Sequence, residues 1–171
     1  CILYTCRYAR HTLIYCHGNS ADLGTVADEM HNLAHLLQVN VLAMEYRGYG
    51  LHPGKPSEET ISSDLLSVFH YVSRVMRFPS DRIILVGHSI GTGPCCKVAA
   101  QLERDKVAFG GVILQSAFTS ILDVAKQWTS AVTVLFADRW ENLKELKNVR
   151  SPLLLIHGKQ DKLISYEMSI E

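Results

Sequence analysis

Gly87-His88-Ser89-Ile90-Gly91 has the residue types and spacing of a site where a serine hydroxyl acts as nucleophile. Ile83, Ile84, Leu85 and Val86 lead into it as a short aliphatic strand, and residues 92–100 can follow as a helix. In a G-x-S-x-G elbow the turn between strand and helix is so sharp that the serine takes a strained backbone. Only hydrogen fits two residues to either side. Average glycine and serine usage gives roughly 0.06 chance matches in a chain this long, and the flanking strand and helix lower that further. Ser89 is therefore the predicted nucleophile, standing at the C-terminal edge of a sheet.

Acyl transfer by serine needs a histidine to take the hydroxyl proton and an acid to orient that histidine. After such an elbow the acid comes first in the chain and the histidine second. Asp161 closes the turn Gly158-Lys159-Gln160-Asp161, just past an apolar strand over 152–157, and is the predicted acid. Asp123 and Asp138 also follow the serine but fall in a helical stretch. The developing oxyanion needs two N–H donors. Ile90 supplies one at the head of the nucleophile helix, and Asn19 the other, in the loop His17-Gly18-Asn19 after the first buried strand. The histidine is missing. His17 belongs to the oxyanion loop, His157 precedes the acid turn, and His88 is expected to hydrogen-bond within the sheet. His11, His31, His35, His52 and His70 all precede the serine. The base is expected beyond Glu171.

These residues need strands and helices to hold them. Strands are predicted over 1–6, 12–16, 39–45, 83–86, 111–115 and 152–157. Asp22 caps a helix with apolar positions Val26, Met30, Leu33, Ala34 and Leu37. Ser57 caps the clearest helix, with Glu58 and Glu59 favourably placed in its first turn. Its stripe is Ile61, Leu65, Val68, Phe69, Val72, Val75 and Met76, and Pro79 closes it. Near-continuous apolar strands alternating with helices predict a mostly parallel sheet covered on both faces, a three-layer α/β/α sandwich. A single domain over 1–171 is expected, with a small helical insertion at about 117–150.

Composition narrows the partners. Formal net charge is zero with scattered lysines and arginines, which recommends neither nucleic acid nor an anionic membrane surface. Five irregularly spaced cysteines read as reduced thiols and a cytoplasmic protein. No apolar run approaches the ~20 residues of a membrane span. Membrane association is expected only through segments absent from this sequence. A chain that starts at Cys1 and stops at Glu171 reads as a fragment. His31 and His35 stand four apart, but Asn32 follows where a zinc protease has glutamate, so no metal is assigned. Gly91-Thr92-Gly93 fails the nucleotide-binding patterns at Cys96 and at Thr92. No cofactor is implied.

CHGNSADLG, EYRGYG, GKPSEE, GHSIGTGP and SPLLLIHGKQD, in that order and spacing, resemble the α/β-hydrolase superfamily. Within it they are most similar to the eukaryotic α/β-hydrolase-domain serine hydrolases that include protein depalmitoylases. Glu45 stands where that subgroup usually has aspartate. The resemblance implies an α/β-hydrolase core, C-terminally truncated, with Ser89, Ile90, Asn19 and Asp161 in the roles above and a histidine after one further strand. It implies hydrolysis of acyl esters or thioesters through an acyl-enzyme, with small-molecule or lipid-acyl substrates and acylated proteins among them. Two alternatives share the motifs: a lysophospholipid or monoacylglycerol-type lipase, and a non-catalytic binding protein of the same fold. Ile121, Val124, Trp128, Val132 and Phe136 are candidates for an acyl-chain wall. Without its histidine the fragment is expected to be nearly inactive, with strand 152–157 as an open apolar edge.

Overall fold

In the computed structural model, which describes residues 1–128 (Trp128 by its backbone alone) and 139–171, each predicted apolar run becomes a strand. These are β1 Ile2–Tyr4, β2 Thr12–Cys16, β3 Asn40–Met44, β4 Ile83–His88, β5 Gly111–Gln115 and β6 Leu153–Ile156. They form one sheet in the order β1-β3-β2-β4-β5-β6. Among the described residues only β1 is antiparallel to its neighbour, and the other pairings are parallel.

Alternation along the strands explains both covering layers. Leu13 and Tyr15, Val41 and Ala43, and Val86 turn to one face, where they meet Val26, Met30 and Ala34 of α1 (Leu23–Leu37). Ile14 and Cys16, Leu42 and Met44, and Ile83 and Leu85 turn to the other. There they pack with Ile61, Leu65 and Phe69 of α2 (Glu58–His70) and with Cys95, Val98, Ala99 and Leu102 of α3 (Thr92–Arg104). The fold is the α/β/α sandwich that the sequence predicts.

Both predicted helix caps are present as reciprocal boxes. Asp22 accepts from the Thr25 N–H at 2.8 Å while its own N–H donates to the Thr25 hydroxyl at 2.8 Å. Ser57 and Thr60 repeat the exchange at 3.1 and 3.0 Å. The stripe of α2 departs from expectation at its end. A wider turn over Tyr71–Val75, closed by Met76 N–H donating to the Tyr71 carbonyl, inserts extra backbone into the helical repeat. The register rotates, leaving Val75 65% and Met76 38% exposed.

Within the predicted insertion lie α4 (Ile121–Trp128) and α5 (Asn142–Leu146). Val132, Phe136 and Asp138 lie outside the described residues, as does the Trp128 side chain. The four side chains of β6 are exposed at the described edge of the sheet.

Glu103 at the end of α3 anchors the approach to β6. Its Oε1 accepts from the Ser151 hydroxyl and N–H, both at 2.8 Å, and from the Arg150 N–H at 3.0 Å. The Ser151 hydroxyl foremost, and then these amides, hold the carboxyl below its ordinary pKa. Its stabilising contribution is complete above the unfolded value of ~4.3 and is lost as pH falls through the lower folded value. Glu103→Ala is expected to destabilise by about 1–2 kcal/mol at neutral pH in urea titration. The gap from wild type closes as the pH is taken down through that window. A constant gap across the acid range would show that the carboxylate charge is not what holds the segment.

Candidate active site

Ser89 follows the last residue of β4 with φ of 53°. This is the left-handed region that L-residues avoid at a cost of about 1–2 kcal/mol. One tight turn, Ser89–Gly91, then opens into α3. The flanking glycines are required by contact. A Cβ on Gly87 would strike the Gly91 carbonyl oxygen and lie 2.7 Å from Thr92 Cα; one on Gly91 would strike the Cys16 carbonyl oxygen and lie 2.8 Å from that of His17. The elbow is thus pressed against the end of β2. Thr92 Oγ1 donates to the Ser89 carbonyl at 2.7 Å and accepts from Asn142 Nδ2 at 3.0 Å, which ties the turn to α5.

The loop His17-Gly18-Asn19 is braced from β3. His17, fully buried, donates through Nε2 to Glu45 Oε1 at 2.8 Å, and Glu45 Oε2 accepts from the Leu23 N–H at 3.0 Å. One carboxylate therefore ties the start of the loop to the start of α1. Gly50 crosses so close above Glu45 that a Cβ there would lie 2.5 Å from Oε2. The Tyr46 hydroxyl donates to the His17 carbonyl at 2.7 Å, and its ring lies 4.2 Å from the His17 ring, centroid to centroid. Tyr49 closes the group: its hydroxyl donates to Asn19 Oδ1 at 2.6 Å.

The turn after β6 shapes itself around Asp161. Oδ1 accepts from the Leu163 N–H at 2.8 Å and the Ile164 N–H at 3.0 Å. Burial pushes the carboxyl pKa up, but the amides of Ile164 and Leu163, nearby His157 and the Ser116 hydroxyl together outweigh it and hold the pKa below the ordinary aspartate value. His157 is engaged at both nitrogens. Nε2 donates to the Ile164 carbonyl at 3.0 Å and stands 3.5 Å from Asp161 Oδ2, while Nδ1 pairs with the Ser169 hydroxyl at 2.6 Å.

Ser89, Asn19 and Asp161 line one cavity of about 290 Å³, together with Gly18, Ser20, His88, Ser116, Leu163 and Ile164. The Ile90 side chain instead packs against the core from the elbow. Two expectations are corrected. The His88 ring makes no hydrogen bond within the sheet; it stands against Gly18, where an added Cβ would be 3.2 Å from Nδ1, and walls the cavity. Ile121 and Val124 do not line this cavity either: they pack against the core, and the apolar lining here is Leu163 and Ile164. Among the described residues no group of three or more His, Cys, Asp or Glu side chains could hold a metal.

The roles of three contributors escaped the sequence reading. Ser116 follows β5 in left-handed backbone at φ 50°, beside Ser89 at the end of the neighbouring strand. Glu45 and Tyr49 act on residues far away in the chain. For Glu45 a signal existed: the β2–β3 register pairs Cys16 with Met44, so the residues after them, His17 and Glu45, leave adjacent strands side by side.

A serine in strained backbone between parallel strand and helix, with a loop amide and a strand-end carboxylate in the same cavity, defines the nucleophile-elbow class of α/β proteins. The chain belongs to the α/β-hydrolase fold family, whose profile matches residues 11–138. It is similar to the alpha/beta hydrolase domain-containing protein aho-3 of Caenorhabditis elegans, 33% identical over 159 residues covering 93% of this chain and 46% of that protein. It is also similar to human alpha/beta hydrolase domain-containing protein 17B, 32% identical over 158 residues, 92% of this chain and 52% of that one. The chain thus spans about half the length of these relatives. Among solved structures, an α/β hydrolase from Vibrio vulnificus superposes with a TM-score of 0.75 at 23% identity, covering 84% of this chain and 55% of that one. Est1E from Butyrivibrio proteoclasticus, solved with ferulic acid, gives 0.72 at 20% identity, with 99% and 78% covered. At such identities the likeness speaks for the fold alone.

Proposed function

We propose that this chain carries the nucleophile, oxyanion donors and acid of a cytoplasmic serine hydrolase that cleaves acyl esters or thioesters. The observation that carries the reading is Ser89, held at φ 53° in the same cavity as Asn19 and Asp161. In the first step Ser89 Oγ bonds to the acyl carbon as its proton passes to a histidine. The N–H groups of Asn19 and Ile90 take the negative oxygen. Collapse breaks the carbon–sulfur or carbon–oxygen bond, and the thiol or alcohol leaves with the histidine's proton. Water then attacks the acyl-serine by the same route, giving a carboxylic acid and free Ser89. Asp161, its pKa held low, is anionic at neutral pH and orients the imidazolium. Neither His88, adjacent to the serine, nor His157, bonded at both nitrogens, is placed to be the base. We assign the base to sequence beyond Glu171.

Resemblance to the depalmitoylase-containing group favours S-acylated proteins as substrates. The test is to incubate full-length protein with an S-palmitoyl peptide and, in parallel, with lysophosphatidylcholine and a monoacylglycerol. Ser89-dependent release of peptide thiol, with kcat/KM at least tenfold above the lipids, is expected. Faster turnover of the lipids would replace the thioesterase reading with a lipase one. No turnover of any of them, and no labelling by a fluorophosphonate, would leave a non-catalytic protein.

A further inference from the structure

The hydrogen bond from Tyr49 to Asn19 has a consequence for substrate. A carboxamide has one acceptor oxygen and two N–H hydrogens. Here the oxygen is taken, since the Tyr49 hydroxyl donates to Oδ1 at 2.6 Å. Asn19 Nδ2 has no partner among the described residues, and Asn19 lines the cavity that holds Ser89. Tyr49 itself is fixed from behind. Its ring lies edge-on to Tyr46 at 5.3 Å between centroids and 5.6 Å from the ring of His17, which Glu45 holds. Burial raises the Tyr49 pKa, so at neutral pH the phenol keeps the proton it donates. A free carboxamide could present either end to a ligand; the bond to Tyr49 fixes the oxygen on that side and leaves the Nδ2 hydrogens to point away from it.

We propose that Tyr49 is a positioning residue that locks the Asn19 carboxamide with Nδ2 toward the cavity. The Asn19 side chain thereby becomes a further donor to the carbonyl oxygen of the bound ester or thioester, beside its own backbone N–H. The inference rests on the acyl-hydrolase reading and names two residues whose side chains that reading does not use. As negative charge collects on the carbonyl oxygen, a donor already aimed there strengthens without reorganising, and a donor free to rotate does not. The contribution therefore belongs to kcat more than to KM.

A double-mutant cycle in the full-length protein tests this. Asn19→Asp keeps the acceptor for Tyr49 and the backbone N–H but replaces the Nδ2 hydrogens with a carboxylate charge, so Asn19→Ser, which adds no charge, is measured beside it and must also lose kcat. Tyr49→Phe keeps the ring and removes only the hydroxyl. With a p-nitrophenyl ester as probe, Asn19→Asp is expected to lower kcat by about 10²-fold or more and Tyr49→Phe by roughly tenfold, each with KM within about threefold of wild type. Since Tyr49 acts through the amide, adding Tyr49→Phe to Asn19→Asp should cost nothing more. A merely structural tyrosine would give losses that multiply, tracking a fall in Tm, and that result overturns the proposal; so does wild-type kcat in Asn19→Asp. Ser89→Ala separates the two levels. Turnover that depends on Ser89 with multiplying losses sinks the Tyr49 inference alone, whereas turnover that survives Ser89→Ala removes the acyl-hydrolase reading and this inference with it.

Discussion

Ser89→Ala is expected to lower kcat of the full-length protein by on the order of 10⁶, the scale seen when the nucleophile of a serine triad is removed. The oxyanion donors and binding contacts survive the substitution, so a residual acceleration of about 10³–10⁴ over water should remain. The backbone predicts a second, opposite effect at this position. Alanine inherits the strain of φ 53°, whereas glycine occupies that region freely. Ser89→Gly should therefore be as inactive as Ser89→Ala but more stable by about 1 kcal/mol, or roughly 2–4 °C in Tm for a chain of this size. The comparison separates chemistry from conformation. Equal melting temperatures would show that the elbow is relaxed in solution, and turnover in Ser89→Ala would show that the nucleophile is elsewhere.

Gly91→Ala should damage stability most. The added carbon would strike the Cys16 carbonyl oxygen and sit 2.7 Å from the carbonyl carbon. Both are backbone atoms of a strand hydrogen-bonded on two sides, so they cannot move aside as the tip of a side chain could. Overpacking against fixed atoms costs about 3 kcal/mol or more, a fall of roughly 6–12 °C in Tm. Gly158→Ala is the matched control, since nothing lies within 4 Å of a Cβ there, and its Tm should stay within about 1 °C of wild type. Calorimetry on the pair decides the matter: a tolerant Gly91 would mean that the elbow and the loop after β2 are not in contact as described.

The architecture was legible because the apolar runs are short, bounded by turn residues and separated by helices with caps, so local pattern and tertiary fold agree. That Ser89, Asn19 and Asp161 would meet at one cavity was legible for a related reason: each lies at or just past the C-terminal end of a parallel strand, where loops meet. What stayed hidden depends on contacts between distant segments. The hold of Glu45 on His17 needs the β2–β3 register, and the bond from Tyr49 to Asn19 needs the turn over 46–50 to fold back across it. The exposure of Val75 and Met76 has another origin, a single wide helical turn that no period of 3.6 anticipates. Ile121 and Val124, two of the candidates for an acyl wall, pack against the core, since apolar helix positions look alike whether they face a ligand or a core.

The seat of Gly91 on the carbonyls of Cys16 and His17 bears on when the elbow can form during synthesis of the chain. The two halves of that contact emerge from the ribosome far apart in time, and the carboxylate of Asp161 later still. Until β4 has docked beside β2, nothing forces Ser89 into its unfavourable backbone state. The left-handed backbone of Ser89 is thus a product of long-range closure and not of its local sequence alone.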